Sequence, residues 1–183
     1  MALLTSHRSR LAAAPLACLL FAAPAVAQSP EPIEAQLKAV FLFNFAKYVN
    51  WRVPASTAKA PPDIRVCTTA DDEFFAMVKS ALEGEDIDGR RLVAVTLDGL
   101  DAARTCQILY VGDATTADAK DWFDAVKGAD VLTVADGTIA EEPVISFVRD
   151  QNRLRFDVNR AAASRHGLSI SAKLLRLARR VKQ

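Results

Sequence analysis

The stretch LKAVFLFNFAKYVNW, residues 37–51, is strongly apolar and aromatic, with bracketing lysines and an internal asparagine. Its uncharged part, 39–46, is far shorter than the roughly 20 apolar residues that cross a bilayer. Apolar residues recur at the spacing of one helix face, namely Leu37, Val40, Phe41, Phe45, Tyr48 and Val49. This spacing predicts an amphipathic helix that begins near Pro30 or Pro32, ends before Pro54 and packs the row against a core.

Two aromatic residues of this stretch fit the row less well. Phe43 falls outside it, and Trp51 lies at its edge. Either they pack against loops and the rest of the core, or they form a surface that docks a partner, since such residues are common interface anchors. The sequence leaves both alternatives open.

Residues 1–27 carry the three parts of an export signal in order. Arg8 and Arg10 supply the positive end. Residues 11–23 form an uncharged apolar segment, and 25–27 (AVA) match the small-residue cleavage motif. We therefore expect a cleavable signal peptide and a periplasmic protein.

A membrane anchor and lipidation at Cys18 are the alternatives to cleavage. The apolar segment, about 13 residues, is too short to span a bilayer. Residues 15–17 (PLA) fit a lipidation motif poorly, and little apolar sequence precedes them.

The expected mature chain, residues 28–183, has the size of one domain. It contains 156 residues, 21 of them basic and 22 acidic, so its net charge is −1. That length is enough to bury a single core.

Short apolar runs alternate with helical patterns beyond residue 62. Predicted strands are 63–68, 91–97, 107–111, 131–135, 144–149 and 154–158, and predicted helices are 71–82, 115–126 (capped by Thr115), 160–165 and 173–181. This order predicts the α/β class: a single three-layer domain with a mixed, largely parallel central sheet flanked by helices. The last two strands are expected to pair antiparallel at an edge.

Charge is distributed unevenly along the mature chain. Residues 28–148 carry net −9, whereas 149–183 carry net +8. Export argues against nucleic acid as a partner. The basic part is either a solvated face that balances the acidic body or a contact for an acidic partner or the anionic envelope.

Two cysteines, Cys67 and Cys106, remain after cleavage. An even count in an oxidising compartment suggests one disulfide, with two buried thiols as the alternative. Their spacing is not that of a C-x-x-C redox motif.

Groups for catalysis or metal binding are scarce. His166 is the single histidine of the mature chain, and the acid pairs lie at helix starts or in loops. VGDATT (111–116) is a weak anion-site signal that also reads as a turn with a helix cap. We therefore expect no enzyme, no metal and no cofactor.

Four blocks of the chain resemble, in the same order, the YfiR-like family of periplasmic regulators. They are the opening stretch, CQILYVG (106–112), VLTVAD (131–136) and LRFDVNRAAASRHGLSISAKLLRLARRV (154–181). The resemblance covers nearly the whole mature chain.

The resemblance implies a non-catalytic α/β domain, commonly a homodimer, that inhibits a membrane-bound diguanylate cyclase. It implies binding to the cyclase's periplasmic region, lower cyclic di-GMP and less biofilm. An outer-membrane lipoprotein with a peptidoglycan-binding domain is a further implied partner, and redox state a second input. Cys67 and Cys106 resemble one family cysteine pair, whereas Glu141 and Val148 stand where some members carry a second.

Three segments are candidates for the binding face. One is the aromatic part of the first helix with Phe43 and Trp51, and another is the segment 159–171 with Asn159 and His166. The third is the basic side of the expected last helix, formed by Lys173, Arg176, Arg179 and Arg180.

Each segment also has a structural interpretation. Asn159 is expected to cap a helix, and His166 to be a solvated or structural turn residue. In the last helix the apolar residues would form the core row opposite solvated cations, and they are Leu174, Leu175, Leu177 and Ala178.

Two other functions compete with cyclase inhibition. A small-ligand binding module that feeds a different sensor, such as a histidine kinase, needs the same fold and no catalytic group. A secreted hydrolase would need His166 beside a serine or an acid in a cleft.

Overall fold

A central sheet and five helices organise the part of the chain that the computed structural model describes, residues 30–51, 63–112, 116–137 and 143–183. The helices are α1 (Pro30–Tyr48), α2 (Asp72–Leu82), α3 (Thr116–Ala125), α4 (Arg160–Arg165) and α5 (Ala172–Leu177), with a 3₁₀ helix at Leu100–Thr105. The expected export signal, Thr115 and Glu141 lie outside the described residues.

The described part of the chain has ten strands, of which six were predicted from the apolar runs, whereas the first, third, ninth and tenth were not. The ten strands are β1 (Val49–Asn50), β2 (Ile64–Thr68), β3 (Asp86–Ile87), β4 (Arg90–Thr96), β5 (Ile108–Val111), β6 (Leu132–Asp136), β7 (Ile145–Asp150), β8 (Arg153–Asn159), β9 (Ser169–Ile170) and β10 (Arg180–Lys182).

Eight strands form the main sheet, in the order β10-β8-β7-β6-β5-β2-β4-β3. Pairing is parallel from β4 through β7, antiparallel between β7 and β8 and between β3 and β4, and parallel again between β8 and β10. The predicted α/β class and the mixed, largely parallel sheet are confirmed. The predicted β7–β8 hairpin also forms, but its expected place at the edge is wrong because β10 lies outside β8.

Alternating side chains of the central strands bury two cores, one on each face of the sheet. Val66, Ile108 and Tyr110 belong to the larger core, under α1, α2, α4 and α5. Cys67 and Leu109 belong to the smaller one, under α3 and the 3₁₀ helix. Strands that are covered on both faces have nearly continuous apolar sequences, as β5 and β6 do.

Helix α1 forms as predicted, but it faces the core with a different row. Phe45 and Val49 are buried as expected, together with Ala39, Leu42 and Ala46. The predicted burial of Leu37 and Val40 is wrong, because both are exposed. This part of α1 carries apolar residues on several of its sides, so their spacing alone does not identify the buried side.

Aromatic packing sets the orientation of α1. The Phe45 ring lies 5.7 Å from that of Phe147 and 5.2 Å from that of Phe156, centroid to centroid. Phe41, half-buried, contacts both strand rings as well. Offset and edge-to-face contacts of this kind add to the free energy of burial.

The end of the chain differs from the predicted helix 173–181. Helix α5 ends at Leu177, which is exposed and not part of a core row. The chain then joins the sheet as β10, where the Arg179 amide donates to the Phe156 carbonyl at 2.8 Å. Pairing with a distant strand outweighs the local helical pattern here, because periodicity does not report such a partner.

The first prediction concerns the ion pair between Arg179, just before β10, and Asp157 of β8. The guanidinium donates to both carboxylate oxygens of Asp157, at 2.9 and 2.6 Å, and these bonds hold the pKa of Asp157 below its usual value. A lowered folded-state pKa stabilises the fold above the unfolded pKa of about 3.9, and this stabilisation is lost as pH falls. We expect Asp157→Asn to lower the free energy of unfolding by about 1 kcal/mol at neutral pH.

Urea denaturation near pH 7 and pH 3 measures this effect. The difference in stability between Asp157→Asn and the unaltered protein should shrink in acid, whereas Asp101→Asn, at an exposed position of the 3₁₀ helix, should change stability little at either pH. An equal loss of stability at both pH values would contradict the prediction.

The disulfide between Cys67 and Cys106 that the sequence suggested is present, and the second prediction concerns its contribution to stability. The bond joins Cys67 of β2 to Cys106, which lies between the 3₁₀ helix and β5, inside the smaller core, with Cα atoms 5.9 Å apart and a sequence separation of 39. Closing a loop of that size restricts the unfolded chain, so reduction should lower the free energy of unfolding by about 3–4 kcal/mol.

Guanidinium denaturation with and without dithiothreitol checks this value. The double variant Cys67→Ala/Cys106→Ala is the control, since its midpoint should not respond to the reductant. An unchanged midpoint in the unaltered protein, once thiol titration shows full reduction, would disprove the prediction.

Candidate functional site: a cleft and an arginine groove

A cleft opens at the carboxyl ends of the central strands. From β2 the chain crosses through α2 to β4 on one side, and from β4 it crosses to β5 on the other side of β2. Connections that leave in opposite directions create a crevice, and open α/β sheets bind ligands at such a point. The cleft has a volume of about 490 Å³. Its lining comes from α1, α2 and the strand ends: Pro32, Glu34, Ala35, Lys38, Ala70, Asp71, Glu73, Phe74, Met77, Tyr110, Asp136 and Arg149.

A chain of polar contacts crosses the cleft. The Asp136 Oδ2 atom accepts hydrogen bonds from Lys38 Nζ and from the Tyr110 hydroxyl, both at 2.8 Å. Lys38 Nζ also lies 3.4 Å from Glu34 Oε1, and Glu34 Oε2 accepts from Arg149. These side chains are largely buried except Arg149, so water screens the pairs less than it screens surface ion pairs.

One oxygen of Asp136 lacks a partner. Its Oδ1 atom is buried and accepts no hydrogen bond from the described residues. A buried acceptor without a donor is unfavourable, because it has lost water and gained nothing in exchange.

Glycine at position 112 allows Tyr110 to reach Asp136. A Cβ atom there would lie 2.7 Å from Cε1 of the Tyr110 ring. Side chains two residues apart on a strand point to the same face. The missing side chain therefore lets the ring lie along β5, where it also contacts Phe74 at 4.8 Å between centroids.

The amino end of α2 borders the cleft and is already occupied by acidic side chains. Asp71 caps the helix, with its Oδ1 accepting from the Phe74 amide at 2.8 Å. Asp72 and Glu73 follow in the first turn, where carboxylates complement the helix dipole.

A second concavity, of about 460 Å³, shares Glu34 and Arg149 with the cleft. We name it the arginine groove, and its lining residues are Ile33, Glu34, Leu37, Arg149, Asn152, Arg153, Leu154 and Arg155. The hairpin turn between β7 and β8 forms one end. Gln151 and Asn152 both have positive φ there, as a tight two-residue hairpin turn requires.

An exposed apolar row of α1 begins in this groove, which Ile33 and Leu37 line, and continues to Val40 outside it. Ile33, Leu37 and Val40 are 52%, 41% and 47% exposed, and they follow one another at the spacing of a single helix face. Among the described residues, the other exposed large apolar side chains, Leu100 and Leu177, lie elsewhere in the chain.

Most of the candidate binding residues named from the sequence make contacts within the fold. Phe43 packs against the larger core, and the Trp51 indole donates to the Gln107 carbonyl at 3.1 Å. Asn159 caps α4, as predicted, by accepting from the Ala162 amide. The His166 Nδ1 atom donates to the Ala129 carbonyl at 2.9 Å.

The four predicted cations do not share one helix. Lys173 lies over the Tyr48 ring and donates to its hydroxyl at 2.8 Å, which lowers the pKa of Tyr48. Arg179 binds Asp157, Arg176 is exposed on α5, and Arg180 is exposed on β10. The eight predicted residues contact different parts of the fold, and their role in partner binding stays a prediction.

Sequence reasoning missed the residues that line the cleft and the groove. One available signal was Asp136, which directly follows an apolar strand, where functional side chains of α/β sheets tend to lie. Another was Lys38, a charged residue directly before the uncharged run 39–46 of α1. In the described part of the chain no group of acidic, histidine or cysteine side chains is arranged to hold a metal, and no helix is long and apolar enough to cross a membrane.

Two solved structures resemble the chain at low identity. A conserved domain protein from Vibrio cholerae O1 biovar El Tor strain N16961 aligns with a TM-score of 0.55 at 12% identity, over 81% of this chain and 60% of that one. An ABC domain in complex with L-Trp from Streptococcus pneumonia aligns with a TM-score of 0.46 at 13% identity, over 80% and 60%. The first likeness shows the fold alone, and the second carries no argument.

The sequence itself identifies the family. No curated protein gives a significant match. Residues 35–179 match the family described as YfiR/HmsC-like (DUF4154), as the four sequence blocks predicted. The chain therefore belongs to the YfiR/HmsC-like family.

Proposed function

We propose that this protein binds the periplasmic sensor region of an inner-membrane diguanylate cyclase and holds the cyclase inactive, which lowers cyclic di-GMP and biofilm formation. A regulator of this kind needs no catalytic group. It needs a surface whose affinity differs between two states or partners of the cyclase. The observation that carries the proposal is the exposed apolar row of α1 beside the arginine groove.

The apolar row has the character of a docking surface. Three of the five exposed large apolar side chains in the described part of the chain lie in this one row. Single apolar side chains scattered on a surface need no explanation, whereas contiguous ones mark an interaction site. Leu154 extends the apolar surface on the hairpin side of the groove.

Charge indicates what kind of segment fits. Arg153 and Arg155 are exposed beside the apolar row, and Arg149 is held by Glu34. A sensor segment that presents apolar side chains flanked by carboxylates would complement this surface. Charges at the rim of an interface mainly raise the association rate, so binding should weaken with salt.

The other family partners are part of the same proposal. A peptidoglycan-binding lipoprotein of the outer membrane would release the cyclase by competing for this protein, and a homodimer is the proposed assembly. A small-ligand module that feeds a different sensor is the second candidate, and the cleft at the strand ends favours it.

The third prediction tests the apolar row in the native host. Deletion of the gene should raise cyclic di-GMP, and expression of the exported protein should return it to the original low level. The Leu37→Asp variant should fail to lower cyclic di-GMP, because a buried carboxylate at the interface would weaken binding at least about tenfold. Leu100→Asp is the matched control, since Leu100 is 40% exposed, as Leu37 is 41% exposed, but lies outside the row.

Mass spectrometry of the nucleotide and immunoblots of both variants provide the measurement. Full repression by Leu37→Asp at normal protein level would exclude the row as the docking surface. Unchanged cyclic di-GMP on deletion would instead disfavour cyclase inhibition and leave the ligand-binding module.

The fourth prediction tests the arginines. Arg153→Glu/Arg155→Glu should abolish repression, whereas Lys79→Glu/Arg165→Glu makes the same change of charge at exposed positions of α2 and α4 and should not. Equal loss in the two double variants would point to overall charge and not to the groove.

A further inference from the structure

The cleft at the strand ends has an apolar wall that faces its charged contacts. Phe74, Met77 and Tyr110 line one part, and Glu34, Lys38 and Asp136 line another. A volume of about 490 Å³ lies within the range of small-molecule sites, which combine apolar walls with a few polar groups.

Negative charge predominates among the lining side chains. Carboxylates come from Glu34, Asp71, Glu73 and Asp136, against the cations Lys38 and Arg149. Both cations are engaged with these carboxylates, Lys38 with Glu34 and Asp136, and Arg149 with Glu34. A partly enclosed surface with excess negative charge raises the local concentration of cations.

The contacts of Asp136 do not fully compensate its carboxylate. Lys38 and Tyr110 donate to Oδ2, whereas the buried Oδ1 atom accepts no hydrogen bond from the described residues. An ammonium group carries three N–H donors and no acceptor, so it complements the excess of carboxylates in this cleft, as a carbonyl or another carboxylate does not.

We propose that this cleft binds a small organic amine with an aromatic or apolar body. Its ammonium group lies against Asp136 and Glu34, and its body lies on Phe74, Met77 and Tyr110. The tyrosine ring adds an attraction between the cation and its face. An anion is disfavoured, because Asp71 and the acids of the first turn already occupy the amino end of α2.

Phenethylamine is the probe, and 3-phenylpropionate, which keeps the ring and replaces the ammonium by a carboxylate, is its matched control. Thermal unfolding of the mature protein is followed with each compound at 10 mM. For a dissociation constant of about 1 mM, the amine should raise Tm by about 3–6 °C, and the carboxylate should not. No rise with the amine, or an equal rise with the carboxylate, would overturn the proposal.

Variants of the acidic side chains locate the binding site. Glu34→Gln and Asp136→Asn should each lose most of the rise in Tm, whereas Asp101→Asn, at an exposed position of the 3₁₀ helix, should keep it. If Asp136→Asn does not fold, Glu34→Gln decides, since it removes one charge near the surface. A full rise in the Glu34 variant would exclude the site, as would amide NMR shifts that map away from Ala70, Tyr110 and Asp136.

Discussion

The contact of Phe45 with Phe147 and Phe156 fixes the rotation of α1 about its axis, and both candidate surfaces depend on that rotation. Because Phe45 is fully buried, the directions of the other α1 side chains around the helix axis are fixed as well. Lys38 reaches Asp136 at the strand ends, and Leu37 and Val40 face outward. The packing density of a core makes such a rotation costly to change.

The uneven charge of the sequence acquires a different meaning in the folded chain. The basic residues after 148 do not form a separate tail, because β7, β8 and β10 join the same sheet as the acidic part and α4 and α5 pack on it. Arg149 is paired with Glu34, and Arg179 with Asp157. Arg153 and Arg155 remain exposed beside apolar side chains, which makes them better candidates for partner recognition than the last segment.

The Glu34–Arg149 pair belongs to both the cleft and the groove. Lys38 connects the same glutamate to Asp136, so one run of contacts joins the strand ends to the hairpin side of the domain. A cation that entered the cleft would compete with Lys38 and Arg149 for these carboxylates. Two sites that share an ion pair are coupled to the extent that each ligand alters it.

Much of the fold is readable from the sequence, because local patterns produce it. The six predicted strands between 64 and 159, the cap at Asn159 and helix α4 follow from apolar spacing, β-branched content and a side chain that satisfies a helix end. The disulfide follows from an even cysteine count in a chain expected to be exported, although the sequence left two thiols open as an alternative. Tertiary structure alone decided the buried side of α1, the strand β10 and the cleft. Their contacts join distant residues, with 98 residues between Lys38 and Asp136 and 115 between Glu34 and Arg149, and no local periodicity encodes a partner at that separation.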